Sequence, residues 1–139
     1  LEEAGRWARR QFFRQVMHKV EAPWTALAHT EDDQIETVLF HIARGTGLHG
    51  LIGIPGRQDG LCHPLLTISR AETRAYCDSN GLWFHDDPAN NEIEFSRVRL
   101  RHRVIPELES VHPGFRQSMG RLSEIAAEED AFLNGIAAN

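Results

Sequence analysis

The sequence predicts an α/β fold: a parallel sheet with flanking helices, followed by a helical C-terminal portion. Three observations predict it. An apolar run at residues 24–28, bounded by Pro23, reads as a buried strand that hands over at once to an amphipathic helix. A second extended segment at 61–66 follows a glycine-punctuated stretch, and 3-4 periodicity governs both ends of the chain.

Taken in order, residues 2–19 are good helix formers with Phe13, Val16, Met17 and Val20 at helical spacing, and the other side carries Arg6, Arg9, Arg10, Arg14 and Lys19. Pro23 breaks this helix and opens the strand. Thr30 then caps the next helix, with Asp33 at the capping-box position and Glu31, Asp32 and Asp33 at the positive end of its dipole. At 100° per residue, Ile35, Val38, Leu39 and Ile42 form an apolar face, while Asp33, Glu36, Phe40 and Arg44 share the roughly opposite stripe. Asp33 and Glu36 are therefore neighbours. A strand-to-helix turn in an open α/β sheet is where ligands bind, and two acids beside His29 suit an ammonium group or a metal. Helix-dipole stabilisation accounts for the same acids without any ligand.

Glycines and prolines at 45–60, interleaved with Leu48, Leu51, Ile52 and Ile54, predict a loop pinned by apolar side chains. The 61–66 segment carries Pro64, which favours an edge or irregular position. Ser69 and Glu72 form a capping box for a helix running to about Ser79 and stopping at Asn80-Gly81, and 82–84 reads as extended. Arg97, Arg99, Arg101 and Arg103 alternate on a helix that Pro106 ends or kinks; Arg97 and Arg101 lie one turn apart and can act on one anion. After the break at His112-Pro113-Gly114, Phe115, Met119, Leu122, Ala126, Leu133 and Ile136 define a long amphipathic helix, with Ile125 and Phe132 alongside. Residues 1–68 are expected to form an α/β portion and 69–139 a mainly helical remainder ending in the long helix.

With 139 residues and 41% hydrophobic content the chain can bury one core. Its net charge of -5 argues against a generally basic nucleic-acid binder, although the cations cluster at the N-terminus and around Arg101. No run approaches the roughly 20 apolar residues of a membrane span, and no signal-peptide h-region precedes the first helix, so a cytoplasmic location is expected. Cys62 and Cys77 match neither C-x-x-C nor a metal quartet and read as free thiols.

The string A-H-T-E-D-D-Q-I-E-T-V-L-F-H-I-A-R-G-T-G-L-H-G-L-I-G-I-P resembles the signature of the tRNA(Ile)-lysidine synthetases, members of the N-type ATP pyrophosphatase superfamily, in which A-H-H-x-D-D-Q-x-E-T runs into R-G-[ST]-G-x-x-G-L-x-G-M. Thr30 stands where that family usually has a second His, and Ile54 where it has Met. H-P-L-L is similar to R-P-L-L, with His63 in place of Arg; D-D-P-A-N is similar to a family D-x-[ST]-N segment, with Ala89 in place of the hydroxyl residue; and R-V-R-L-R-H-R-V-I-P is similar to R-N-x-[IL]-R-x-x-[VIL]-[IL]-P, with Val98 for Asn. The resemblance implies an adenine-nucleotide alpha hydrolase-like fold. It also implies a ligase reaction: ATP, with Mg2+, adenylates the wobble cytidine of an isoleucine tRNA and L-lysine displaces AMP to give lysidine.

Carried over residue by residue, the resemblance assigns Asp33, Glu36 and Arg101 to catalysis, with His29, Asp33, Glu36, Arg97 and Arg101 binding substrate and Arg44, Gly45 and Thr46 contacting nucleotide. It assigns no metal ligand. The superfamily's S-G-G-x-D-S loop has no counterpart here, so the chain is expected to be the later part of a catalytic domain and to lack turnover alone. The oligomeric state is open, a homodimer included. Two other classes fit parts of the sequence. His29, His41, Asp32 and the His85-Asp86 pair are ligand types of an HD-type metal-dependent phosphohydrolase, and the basic clusters alone would suit a non-catalytic tRNA-binding module.

Overall fold

The computed structural model of the chain describes residues 2–85 and 96–138. They group into two compact units, Leu1–Ala28 with Pro55–Pro64, and His29–Ile54 with Leu65–Asn139. Neither unit is continuous in sequence.

In the first unit, helix α1 (Glu2–Lys19) shelters Phe13 and Met17, whereas Val16 and Val20 of the expected stripe are exposed. Strand β1 (Thr25–Ala26) pairs in parallel with β3 (Leu61–Cys62), Thr25 opposite Leu61, which is the parallel pairing expected from the sequence. Strand β2 (Arg57–Gln58) adds an antiparallel partner, making a mixed sheet of order β1-β3-β2. The Asp59-Gly60 turn that links β2 to β3 has both residues at positive φ, the requirement of a tight hairpin, and that dipeptide is the signal a sequence reading could have used. The 24–28 run is not buried. Ala26 is exposed, and Trp24 lies with its ring beneath the Arg57 guanidinium, 5.7 Å from the centroid. Pro64 lies two residues beyond β3, which is the central strand rather than an edge.

The second unit is helical. Helix α2 (Glu31–Ala43) is its centre: Ile35 and Val38 are fully buried against Ile105 and Met119, with Leu39, Leu51 and Phe115 packed around them. Each such side chain contributes about 1.5–3 kcal/mol through removal from water. The apolar face is shorter than expected, because Ile42 is exposed, and on the opposite stripe Glu36 is buried while Asp33 and Phe40 are half-buried and Arg44 is exposed. The glycine-rich stretch contains a short helix α3 (Leu48–Leu51) and is fastened to α2 by Gln34, whose amide donates to Ile52 O at 2.7 Å and accepts from Ile54 N at 2.6 Å. His41 Nδ1 donates to Gly50 O at 2.7 Å.

Helix α4 (Arg70–Ser79) starts at the Ser69–Glu72 capping box, as its sequence demands. Residues 82–84 form no strand; Trp83 is exposed and Arg74 sits over Phe84. The D-D-P-A-N segment and Asp86 lie outside the described residues. Helix α5 (Ser96–Arg99), a π-helical turn (Leu100–Val104) and α6 (Ile105–Val111) then run on without a break, so Pro106 does not end the helix. It occupies the first turn of α6, where a missing N–H is tolerated, and the widened turn before it absorbs the change of register.

Helix α7 (Phe115–Ala137) buries Met119, Ser123 and Ala126. Ile125, Phe132, Leu133 and Ile136 are exposed, so the predicted stripe is covered only over its first half. No helix among the described residues is long and apolar enough to cross a membrane.

Candidate functional site

The N-terminus of α2 gathers four acids and three arginines from distant parts of the chain. Thr30 N and Oγ1 both donate to Asp33 Oδ2, at 2.8 and 3.0 Å, which closes the cap and fixes that oxygen. The other oxygen, Oδ1, accepts from Arg70 Nη2 at 3.2 Å. One turn on, Glu36 is gripped by Arg101, Nε to Oε1 at 2.6 Å and Nη2 to Oε2 at 3.1 Å. This is a bidentate pair between side chains only 2% and 18% exposed. Burial alone would lower the pKa of Arg101; the bond and charge of Glu36 outweigh it and raise the value, with Asp33 and Asp32 adding to the field.

Asp32 faces the other way. Its Oδ2 accepts the Arg70 backbone N–H at 2.7 Å and its Oδ1 accepts Arg116 Nη1 at 3.1 Å; Arg116 also donates to Glu31 and, through Nε, to Glu109. Burial works against the charged form of Asp32, but the Arg70 amide and the Arg116 guanidinium outweigh it, and the carboxyl titrates below the ordinary aspartate value. Arg116 is likewise held above the usual arginine range against the effect of burial. Glu31, Asp32, Ser69, Glu72, Pro113 and Arg116 line an open crevice of about 390 Å³ on this side.

The structure thus brings Asp33, Glu36 and Arg101 together, but with Glu36 and Arg101 in direct contact rather than across a cleft. His29 is half-buried just before the cap, and Arg97 is half-buried on α5 and does not join the Glu36 pair. Arg44, Gly45 and Thr46 form an exposed turn after the last residue of α2, which lies about 15 Å along that helix from Asp33. There Arg44 lies over the Phe40 ring at 5.4 Å and Gly45 takes φ +75°. Sequence reasoning missed Arg70, Arg116 and Gln34. Arg70 and Arg116 meet the acids of α2 across 37 to 85 positions, a separation no local pattern encodes. Among the described residues no three His, Cys, Asp or Glu side chains are grouped to hold a metal ion; His41 and Asp32 spend their polar atoms on Gly50, Arg70 and Arg116.

Residues 1–108 match the family of PP-loop domains. The chain belongs to the PP-loop family. This PP-loop chain is 37% identical over 142 residues to the tRNA(Ile)-lysidine synthase of Geobacillus kaustophilus, covering 99% of the chain and 31% of that protein. It is 40% identical over 138 residues to the tRNA(Ile)-lysidine synthase of Geobacter sulfurreducens (98% and 29%), and 40% over 137 residues to that of Leifsonia xyli (98% and 41%). The chain therefore spans between 29% and 41% of these relatives. Among solved structures, the U34-tRNA thiolase NcsA from Methanococcus maripaludis matches at TM-score 0.69 and 22% identity over 87% of this chain and 42% of that one, which establishes a shared fold. In the PP-loop chain, then, the acidic start of α2 is a built electrostatic site: one carboxylate locked in a buried ion pair, one anchoring two segments, and one, Asp33, with an oxygen held only by a partly exposed arginine.

Proposed function

We propose that this chain is part of a tRNA(Ile)-lysidine synthase and that the start of α2 receives the lysine substrate. The observation that carries the reading is the meeting of Asp33, Glu36 and Arg101, the three residues that the family resemblance assigns to catalysis, within one short stretch of the second unit. In the reaction, the C2 carbonyl oxygen of the wobble cytidine attacks the α-phosphorus of ATP and pyrophosphate leaves. The lysine side-chain amine then forms the C–N bond as the C–O bond to AMP breaks.

Asp33 offers Oδ1 to the ammonium of lysine and so orients the amine. Glu36 reinforces the negative field there while holding Arg101 in place. A guanidinium has five N–H groups and Glu36 engages two, so Arg101 retains donors for the charge that develops on the departing phosphate. Arg97 supplements it from α5. The Arg44–Thr46 turn has the chemistry for nucleotide phosphates, an exposed guanidinium beside glycine-bent backbone, and Mg2+ arrives on the phosphate oxygens of ATP. An RNA partner is supported by the first unit. The described part of α1 exposes Arg9, Arg10, Arg14 and Lys19 with no acid between residues 4 and 20, in a chain of net charge -5.

The deciding experiment supplies the complete gene product with MgATP, radiolabelled lysine and isoleucine tRNA transcripts that differ only in the wobble base. Lysine is expected to enter the cytidine transcript alone, and Asp33→Asn to raise KM for lysine about 10–100-fold, the loss of a hydrogen bond to a charged group. Label that never enters tRNA, or an Asp33→Asn protein with unchanged lysine dependence, would refute the assignment.

A further inference from the structure

The two carboxylates assigned to lysine are not equally available. Glu36 has both oxygens in a buried bidentate pair with Arg101, and Asp33 Oδ2 is committed to the Thr30 cap. Only Asp33 Oδ1 remains, and Arg70 Nη2 occupies it at 3.2 Å, between side chains 34% and 22% exposed. That contact is longer and more open to water than the Glu36–Arg101 pair, so it can open without uncovering a buried charge.

The geometry points to Arg70 as a specificity-determining gate: its guanidinium occupies the Asp33 oxygen that an incoming alkylammonium needs, and it swings into solvent when the amine binds. The inference rests on the reading above, that Asp33 receives the amine. The anchoring of α4 does not depend on the arm, because Arg70 meets Asp32 through its backbone N–H at 2.7 Å. The side chain can leave while the helix start stays in place. A side chain without positive charge cannot replace the guanidinium, so the gate rejects amino acids whose side chain is neutral, and a cationic side chain must compete with an internal cation for one oxygen.

The test is a calorimetric titration of L-lysine into the full chain and its Arg70→Gln and Arg70→Lys variants, with the Arg70 Nε–H resonance followed by NMR in the parent. Removing a partly exposed competing pair should tighten lysine binding about 2–5-fold in Arg70→Gln. Arg70→Lys, which keeps a competing cation, should stay near the parent, and lysine should shift the Arg70 Nε–H signal. A structural role predicts the opposite sign. Parent binding that is unchanged or weakened in Arg70→Gln, or an Arg70 signal indifferent to lysine, overturns the gate and leaves the lysine reading standing. Absence of lysine binding in the parent and both variants overturns that reading and the gate with it.

Discussion

Glu36 shows how a side chain on a polar-looking stripe becomes a core residue. It is as buried as Ile35 because Arg101 supplies two hydrogen bonds and the opposite charge, without which an ionised carboxylate would not be tolerated there. Glu36→Gln leaves the guanidinium without its charge partner and should destabilise the protein by about 3 kcal/mol, whereas Glu36→Leu with Arg101→Met should recover most of that loss. Urea unfolding with unchanged m-values would measure both; a single variant within 1 kcal/mol of the parent, on the order of a surface pair, would show that the pair is not buried in solution. Asp32 makes a pH-dependent contribution. Its folded pKa lies below the ordinary value of 3.8, so its stabilisation is complete above that value and disappears as pH falls through the folded one. Asp32→Asn should therefore be less stable than the parent by about 1–2 kcal/mol at neutral pH, and the gap should close below pH 3.8. A gap that did not narrow at all as pH was lowered below 3.8 would assign the effect to packing instead.

Among the elements, α2 does most to position the site, and its link to the glycine-rich stretch is steric as well as polar. Gly53 has φ +69°, and a Cβ there would stand 2.6 Å from Gln34 Oε1 and 2.8 Å from Val38 Cγ2. Gly45 has φ +75° but would have nothing within 4 Å. Gly53→Ala should thus lose about 2–3 kcal/mol and Gly45→Ala about 1 kcal/mol, a difference that thermal unfolding resolves. Equal losses would mean that Gln34 yields and does not clamp the loop. Local chemistry set the helix starts well: Thr30–Asp33 and Ser69–Glu72 form the expected boxes because a cap depends on residues three apart. The π turn before Pro106 and the bare second half of α7 escaped the same reasoning, because periodicity reveals which face is apolar but not whether another element covers it.

At the scale of the whole molecule, charge is segregated. The first unit holds six Lys and Arg against four Asp and Glu, although the chain as a whole has 15 against 20. RNA binding should fall steeply with salt, and Arg10→Gln with Arg14→Gln should lower the slope of log K against log salt by about 2. Filter binding between 50 and 200 mM salt would decide, and an unchanged slope would remove α1 from the interface.

The sequence by itself determined the long helices at both ends and after Thr30 and Ser69, the capping boxes, the parallel pairing of two extended segments and the residues that resemble the lysidine synthetases. These rest on short-range geometry or on strings of adjacent residues. Only the tertiary structure decided that Glu36 is sealed by Arg101, that Arg70 rather than solvent faces Asp33, and that the antiparallel β2 joins the sheet. Ion pairs depend on where the chain returns in space, and charge and burial take their meaning there from neighbours tens of residues away.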